Sequence, residues 1–433
     1  SALPALPLEA LLTGRHEFKN GITHTILERE RMTKDAVTLA EVLHSSGYTT
    51  GIFGKWHLGD EADYQPNRRG FEEVFIHGGG GIGQIFPGSC GDAPSNSYFN
   101  PTILHNGTFE RTQGYCTDVF YNQATRWIEA QHKAGKPFFA YIPTNAPHGP
   151  YHARPEDKAL YAEKGLSDDT QSFFGMIHNI DQNVGKILSK LDDWGIGQNT
   201  LVIFMNDNGG TAGVRVFNAE MRGAKGTPWI GATRANSFWR WPGAIEPADC
   251  NALTAHIDFF PTLAEIAAAP LPAKAQSQIE GRSLLPLLQE PSAPWKDRTL
   301  FTHLGRWPKL ADPNLHKFQA ASIRNKRWTL VSEKGSSSPQ WQLFDVSKDY
   351  SQKDDVSAKH PEVVAELSRA FDEWWKECLP LMVNEKAMGP DVNPFQEIYY
   401  RQFGGTPSAE DLQKMRAENA LKLGTKPRKP KSE

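Results

Sequence analysis

Three apolar, β-prone runs in the first half of the chain each end in a short polar segment rich in glycine or histidine. Tyr48-Thr49-Thr50-Gly51-Ile52-Phe53 leads into Gly54-Lys55-Trp56-His57. Pro137-Phe138-Phe139-Ala140-Tyr141-Ile142 leads into Thr144-Asn145-Ala146-Pro147-His148. Thr200-Leu201-Val202-Ile203-Phe204-Met205 leads into Asn206-Asp207-Asn208-Gly209-Gly210. Helix-period patterns separate the runs. One spans about 34–46, with Val37, Leu39, Ala40 and Leu43, and one spans about 117–134. In a third, Phe173, Phe174, Ile177, Ile180, Val184, Ile187, Leu188 and Leu191 recur at three- and four-residue steps before Gly195 and Gly197 end it. Strands alternating with helices predict an α/β fold with a mostly parallel central sheet flanked by helices. In such sheets ligands collect beyond the carboxyl ends of the strands. Three strand ends therefore bring Lys, His, Asp and Asn toward one edge, which marks it as the candidate active site.

Composition narrows the partners. With 47 Lys+Arg against 50 Asp+Glu the net charge is -3, which excludes a globally basic surface, and no nucleic-acid partner is predicted. No apolar run approaches the roughly 20 residues of a membrane helix, so no membrane span is predicted. Cys90, Cys116, Cys250 and Cys378 lack CxxC spacing, which argues against a thiolate zinc site. Cys90 and Cys116 bracket a loop-rich stretch and are read either as a pair or as isolated thiols. Beyond about residue 295 the runs at 300–303, 321–323, 327–331 and 340–344 are short and turn-separated, which predicts a small antiparallel sheet. A helix over about 361–377 follows, with Val363, Leu367, Phe371 and Trp374 on one face. The expected division is an α/β domain over 1–295, a sheet-plus-helix subdomain over 296–380, and an extended tail over 381–433 ending in the basic stretch 425–431. The chain opens at Ser1 with no signal-peptide pattern in its first 30 or so residues, and reads as processed, trimmed or partial.

Adjacent Asp207 and Asn208 offer a carboxylate and an amide oxygen to one point, which suits a hard divalent cation. Taken alone, Asx-Gly-Gly is also an ordinary turn. Lys55 and His57 share a face if the segment stays extended, and suit anion binding plus proton transfer. His148 lies in a rigid proline-flanked loop, and Lys225 in the turn Arg222-Gly223-Ala224-Lys225-Gly226. Each alone reads equally as a solvated lysine or a structural histidine; their joint placement singles them out. The run Gly78-Gly79-Gly80-Gly81 lacks the GxxxxGK[ST] pattern and reads as a cleft-lining loop or a long connection. The remaining histidines, His16 and His24 among them, lack metal-site spacing.

In these segments the chain resembles a known family. Ala10-Leu11-Leu12-Thr13-Gly14-Arg15, Gly54-Lys55-Trp56-His57-Leu58-Gly59, Asn145-Ala146-Pro147-His148, Asn206-Asp207-Asn208-Gly209-Gly210 and Gly223-Ala224-Lys225-Gly226 stand in the order and spacing of the type I, formylglycine-dependent sulfatases of the alkaline-phosphatase superfamily, bacterial arylsulfatases above all. The resemblance covers roughly residues 9–377. It implies hydrolysis of sulfate monoesters of aryl or carbohydrate substrates, with a sulfated small molecule or polysaccharide as partner. It implies Ca2+ rather than Mg2+, held by Asp207 and Asn208. Lys55 would orient the hydrated formylglycine and His57 would act as base, while His148 and Lys225 would hold the sulfate and neutralise the leaving oxygen. The family's location implies export to the periplasm or beyond.

One position departs from the pattern. Counting back from Thr13-Gly14-Arg15, the formylglycine position falls on Pro4 and the motif's arginine on Leu8, where the chain reads Pro4-Ala5-Leu6-Pro7-Leu8-Glu9. The family's opening strand, with its adjacent Asp ligands, has no counterpart either. The chain as given is therefore expected to be inactive, and a parent with Cys or Ser at that position active. The alternatives are a non-catalytic protein that binds sulfated glycans, or a phosphoester or phosphonate hydrolase of the same superfamily. Specificity is expected in loops such as 60–116 and 302–318.

Overall fold

A computed structural model describes residues 6–86 and 88–407. Pro4 and the basic stretch 425–431 lie outside the described residues. The strands are β1 (Thr49–Lys55), β2 (Glu73–His77), β3 (Thr102–His105), β4 (Thr108–Arg111), β5 (Phe138–Tyr141), β6 (Val202–Met205), β7 (Ser237–Arg240), β8 (Leu300–His303), β9 (Gln319–Arg324), β10 (Trp328–Lys334) and β11 (Gln342–Asp345). The central sheet has the order β4-β3-β2-β1-β5. β1 runs parallel to β2 and β5, with Lys55 opposite His77 and Ile52 opposite Tyr141. β3 and β4 add an antiparallel edge. β6 and β7 form a separate antiparallel pair, and their Ile203, Met205 and Trp239 pack on the same core. The predicted α/β fold with a mostly parallel central sheet is thus present.

Residues 50–55 of β1 are all buried, which explains why the strand reads as a continuous apolar run rather than an alternating one. The β3–β4 turn rests on Asn106-Gly107, whose φ values of 47° and 90° are those a tight hairpin requires. The helix before β1 is Leu39–Ser45, shorter than the predicted 34–46. Thr38 stops it from starting earlier. Its hydroxyl accepts from Glu41 N at 3.2 Å, and the Glu41 carboxylate accepts from Thr38 N at 2.6 Å, a reciprocal cap. The long helix is Asp168–Asp193. It buries Phe173, Met176, Ile180 and Leu191, but Ile177, placed by periodicity on the apolar face, is exposed.

The C-terminal sheet is antiparallel, in the order β11-β10-β9-β8, and the helix Pro361–Cys378 lays Leu367, Phe371, Trp374 and Trp375 against it. Phe18 and Trp307 complete this aromatic cluster, so an early segment of the chain is bonded into the late sheet. Residues beyond 381 differ from the extended tail expected of them. The helix Pro394–Phe403 is capped by the Asn393 side chain, buries Phe395 completely, and packs Ile398 and Tyr399 on the central core. Gln402 donates to the Phe109 carbonyl and accepts from its amide, both at 2.7 Å, along β4. The Pro-, Lys- and Glu-rich composition hid a short apolar stripe at helical spacing. All four cysteines are free: Cys90 and Cys116 are buried apart, their thiols directed at the Thr25 carbonyl and the Asn145 side-chain oxygen.

Candidate active site

Lys55 closes β1 and is buried. Gly54 before it has φ +143°, and a Cβ there would lie 2.2 Å from the Pro143 carbonyl oxygen, so only glycine lets β1 pass this close to the loop after β5. His57 does not continue the strand. Its φ of 56° is left-handed, so Lys55 and His57 meet through a turn rather than through the alternation of an extended segment. After β6, Asp207 is exposed and Asn208 buried. The Lys225 amide donates to the Gly210 carbonyl at 3.0 Å, which fastens the Lys225 turn beside the Asp207–Asn208 pair. The glycine run lines the same place. An added Cβ at Gly81 would lie 3.0 Å from His148 Nδ1, and one at Gly80 3.5 Å from His57 Cε1.

The hydrogen bonds fix the histidine tautomers, because a carbonyl only accepts. His57 Nε2 lies 2.6 Å from the Thr25 carbonyl and must donate, which leaves Nδ1 as a buried lone pair with no partner. His148 Nδ1 donates to the Gly149 carbonyl at 2.7 Å, which turns its Nε2 outward from that bond. His77, fully buried, donates from Nδ1 to the Gly78 carbonyl at 2.6 Å, and its Nε2 has no partner. Burial drives His57 far below the usual histidine range, and the Lys55 charge adds to this. Burial, Lys225 and Lys55 lower His148 to about 4. Burial lowers Lys55 to about 8; Asp207 works against that shift and Lys225 with it. Lys225 is lowered by burial, against Asp207 and with Arg306.

Lys55 therefore acts on His57 and His148, Lys225 on Lys55 and His148, and Asp207 on both lysines. Asn208 is joined to them through the chain, and its buried Oδ1 has no hydrogen-bond partner. That orphaned oxygen next to a carboxylate is the donor chemistry a hard cation such as Ca2+ takes. Among the described residues no group of three or more His, Cys, Asp or Glu converges on a point, and the pair supplies two oxygen donors. Sequence reasoning missed Arg306 and Thr25. The Arg306 guanidinium donates to Thr25 Oγ1 at 3.2 Å, on the residue whose carbonyl holds His57. Arg306 sits in loop 302–318, but no motif marked the residue.

A mostly parallel sheet covered by helices, with lysines, histidines and an Asp-Asn pair in the segments after β1, β5 and β6, is the architecture of an α/β hydrolase. The chain belongs to the sulfatase family: the family model "Sulfatase" matches residues 5–269, and the model "N-sulphoglucosamine sulphohydrolase, C-terminal" matches residues 232–377. Members of this family are sulfuric ester hydrolases. Among similar proteins, "Uncharacterized sulfatase YdeN" of Escherichia coli K12 is 25% identical over 415 residues, covering 84% of this chain and 71% of that protein. Arylsulfatase J of Mus musculus is 26% identical, covering 88% and 69%. The solved structure of Ps i-CgsB in complex with k-i-k-neocarrahexaose superposes with a TM-score of 0.75 at 25% identity, covering 96% of this chain and 90% of that one. Among the described residues no helix is long and apolar enough to cross a membrane.

Proposed function

We propose that the edge formed by Lys55, His57, His148 and Lys225 takes the sulfate group of a sulfated carbohydrate or aryl ester. The carrying observation is the charge balance. Asp207 is the carboxylate acting on both lysines, yet each lysine is still lowered by burial, so the site holds a cation excess that an incoming sulfate relieves. A carbohydrate ester is favoured by the likeness to a structure solved with a neocarrahexaose.

Asp207 and Asn208 would hold Ca2+, which when bound supplies positive charge to the sulfate oxygens. Lys55 and Lys225 donate to the sulfate oxygens and oppose the negative charge that grows on the leaving oxygen. His57 Nδ1 presents the lone pair of a general base, since Nε2 is committed to Thr25. His148 Nε2 is unprotonated in the free protein and takes up a proton as an anion arrives. A formylglycine does not fit the residues present, because the counted position is Pro4, which has neither thiol nor hydroxyl, and no step is routed through it. The same observation favours a second reading, a sulfated-glycan binder without turnover. The family's exported members make the periplasm or the extracellular space the proposed location.

The test is binding and turnover of 4-nitrophenyl sulfate by this chain. Binding that Lys225→Ala removes, without turnover, is expected. Turnover overturns the inactivity; absence of binding overturns the sulfate site.

A further inference from the structure

Arg306 lies next to this site, yet none of the roles above uses it. It follows β8 and has φ +62°, a left-handed conformation that a non-glycine residue adopts only under strain. The backbone is held there from both sides. The Arg306 amide donates to the Thr23 carbonyl at 3.0 Å. Gly305 before it lies so close to Thr23 that a Cβ would stand 2.1 Å from the Thr23 carbonyl oxygen. The turn therefore aims this one side chain at Thr25, and through Thr25 at His57.

The charge of Arg306 is unanswered. Among the described residues Thr25 Oγ1 is the acceptor its guanidinium reaches, and no carboxylate lies within ion-pair distance. Arg29, close to this corner, is paired: its Nη1 lies 3.0 Å from Glu385. No acid acts on Arg306, and Arg306 in turn lowers Lys225. A fork-shaped cation that stays exposed, strained and unpaired beside a sulfate site is placed for a second oxyanion.

We propose that Arg306 is a specificity-determining residue that binds a second oxyanion, sulfate or carboxylate, on the same substrate whose reacting sulfate lies at Lys55, His148 and Lys225. The proposal rests on the sulfate-site reading above. It makes the substrate class a polyanionic carbohydrate rather than a singly sulfated aryl ester. The Arg306 guanidinium bonds the residue whose carbonyl holds His57, so the two anions belong to one substrate molecule.

The experiment measures calorimetric affinities at pH 7 for three probes: 4-nitrophenyl sulfate with one anion, D-glucosamine 2-N,6-O-disulfate with two sulfates, and glucuronic acid 2-sulfate with a carboxylate. Arg306→Gly is the variant of choice, because glycine accepts φ +62° and the fold has no reason to fail. Arg306→Lys keeps the charge without the fork. In the parent protein at least one two-anion probe should bind about tenfold tighter than 4-nitrophenyl sulfate. Arg306→Gly should abolish that ratio and Arg306→Lys restore part of it. The probe whose advantage disappears identifies the second anion. Equal losses on all three probes, or an undiminished ratio, overturn the proposal alone. Failure of the parent protein to bind any of the three overturns the sulfate-site reading first and this proposal with it.

Discussion

Two sets of cations lie within one molecule and differ in what faces them. Beneath the surface, Arg298 forms a two-pronged pair with Asp258, whose carboxylate also accepts from the amides of Ala255 and Arg282. Lys309 lies 2.6 Å from Glu28, and Arg31 Nε 2.8 Å from Glu61. At the candidate site, Lys55 and Lys225 share a single exposed aspartate, and no acid acts on Arg306. Lys55 is as buried as the paired cations, whereas Lys225 is half-buried and Arg306 exposed. The difference is the missing counter-charge, which is how a site for an anion differs from a structural ion pair.

The largest effect expected from breaking this contrast is on the paired side. Arg298→Ala leaves Asp258 buried without its partner, and urea unfolding should show a loss of about 3–5 kcal/mol. The same cut at the site should behave oppositely. Lys225→Ala should lower affinity for 4-nitrophenyl sulfate by roughly 100-fold, about 2–3 kcal/mol, with no loss of thermal midpoint, because it removes a charge the fold does not need. A smaller effect is expected from pH. Lys55 in the free protein titrates at about 8, below its ordinary value, so the charged form that holds an anion is present below that pH and is lost above it. Affinity should decline from pH 8 upward by up to about tenfold, and Lys55→Arg should flatten the profile. The smallest effect belongs to a pair at the surface. Lys34 and Asp63 are 3.0 Å apart but open to solvent, and Lys34→Ala should leave the melting midpoint unchanged.

The catalytic edge was legible because glycine and proline punctuate each strand end. Gly54 and Gly209 are required by contacts of 2.2 and 1.9 Å, and those requirements leave marks in sequence. β2 and β7 were not read. Glu73-Val74-Phe75-Ile76-His77 is short and begins with charge, and β7 pairs only with β6, at half-exposed positions. The β3–β4 hairpin carries an Asn-Gly turn signal, but its strands are only four residues each. Arg306 and Thr25 were illegible for a different reason. They are 281 residues apart, and only the tertiary packing of the C-terminal sheet on the early segment brings them together. The Cys90 and Cys116 alternative stayed open because spacing alone cannot tell a pair from two separately buried thiols.

The amide of Gln402 does for β4 what another strand would do. By giving and taking one hydrogen bond with Phe109, it occupies a donor and an acceptor that an outer strand otherwise offers to any neighbouring chain. Tyr399 and Phe395 lie against the Phe109 ring from the same helix. A version of the protein ending before Pro394 would keep its catalytic edge yet carry a bare, partly apolar β margin. Its first symptom would be self-association at rising concentration, with sulfate binding per molecule still intact.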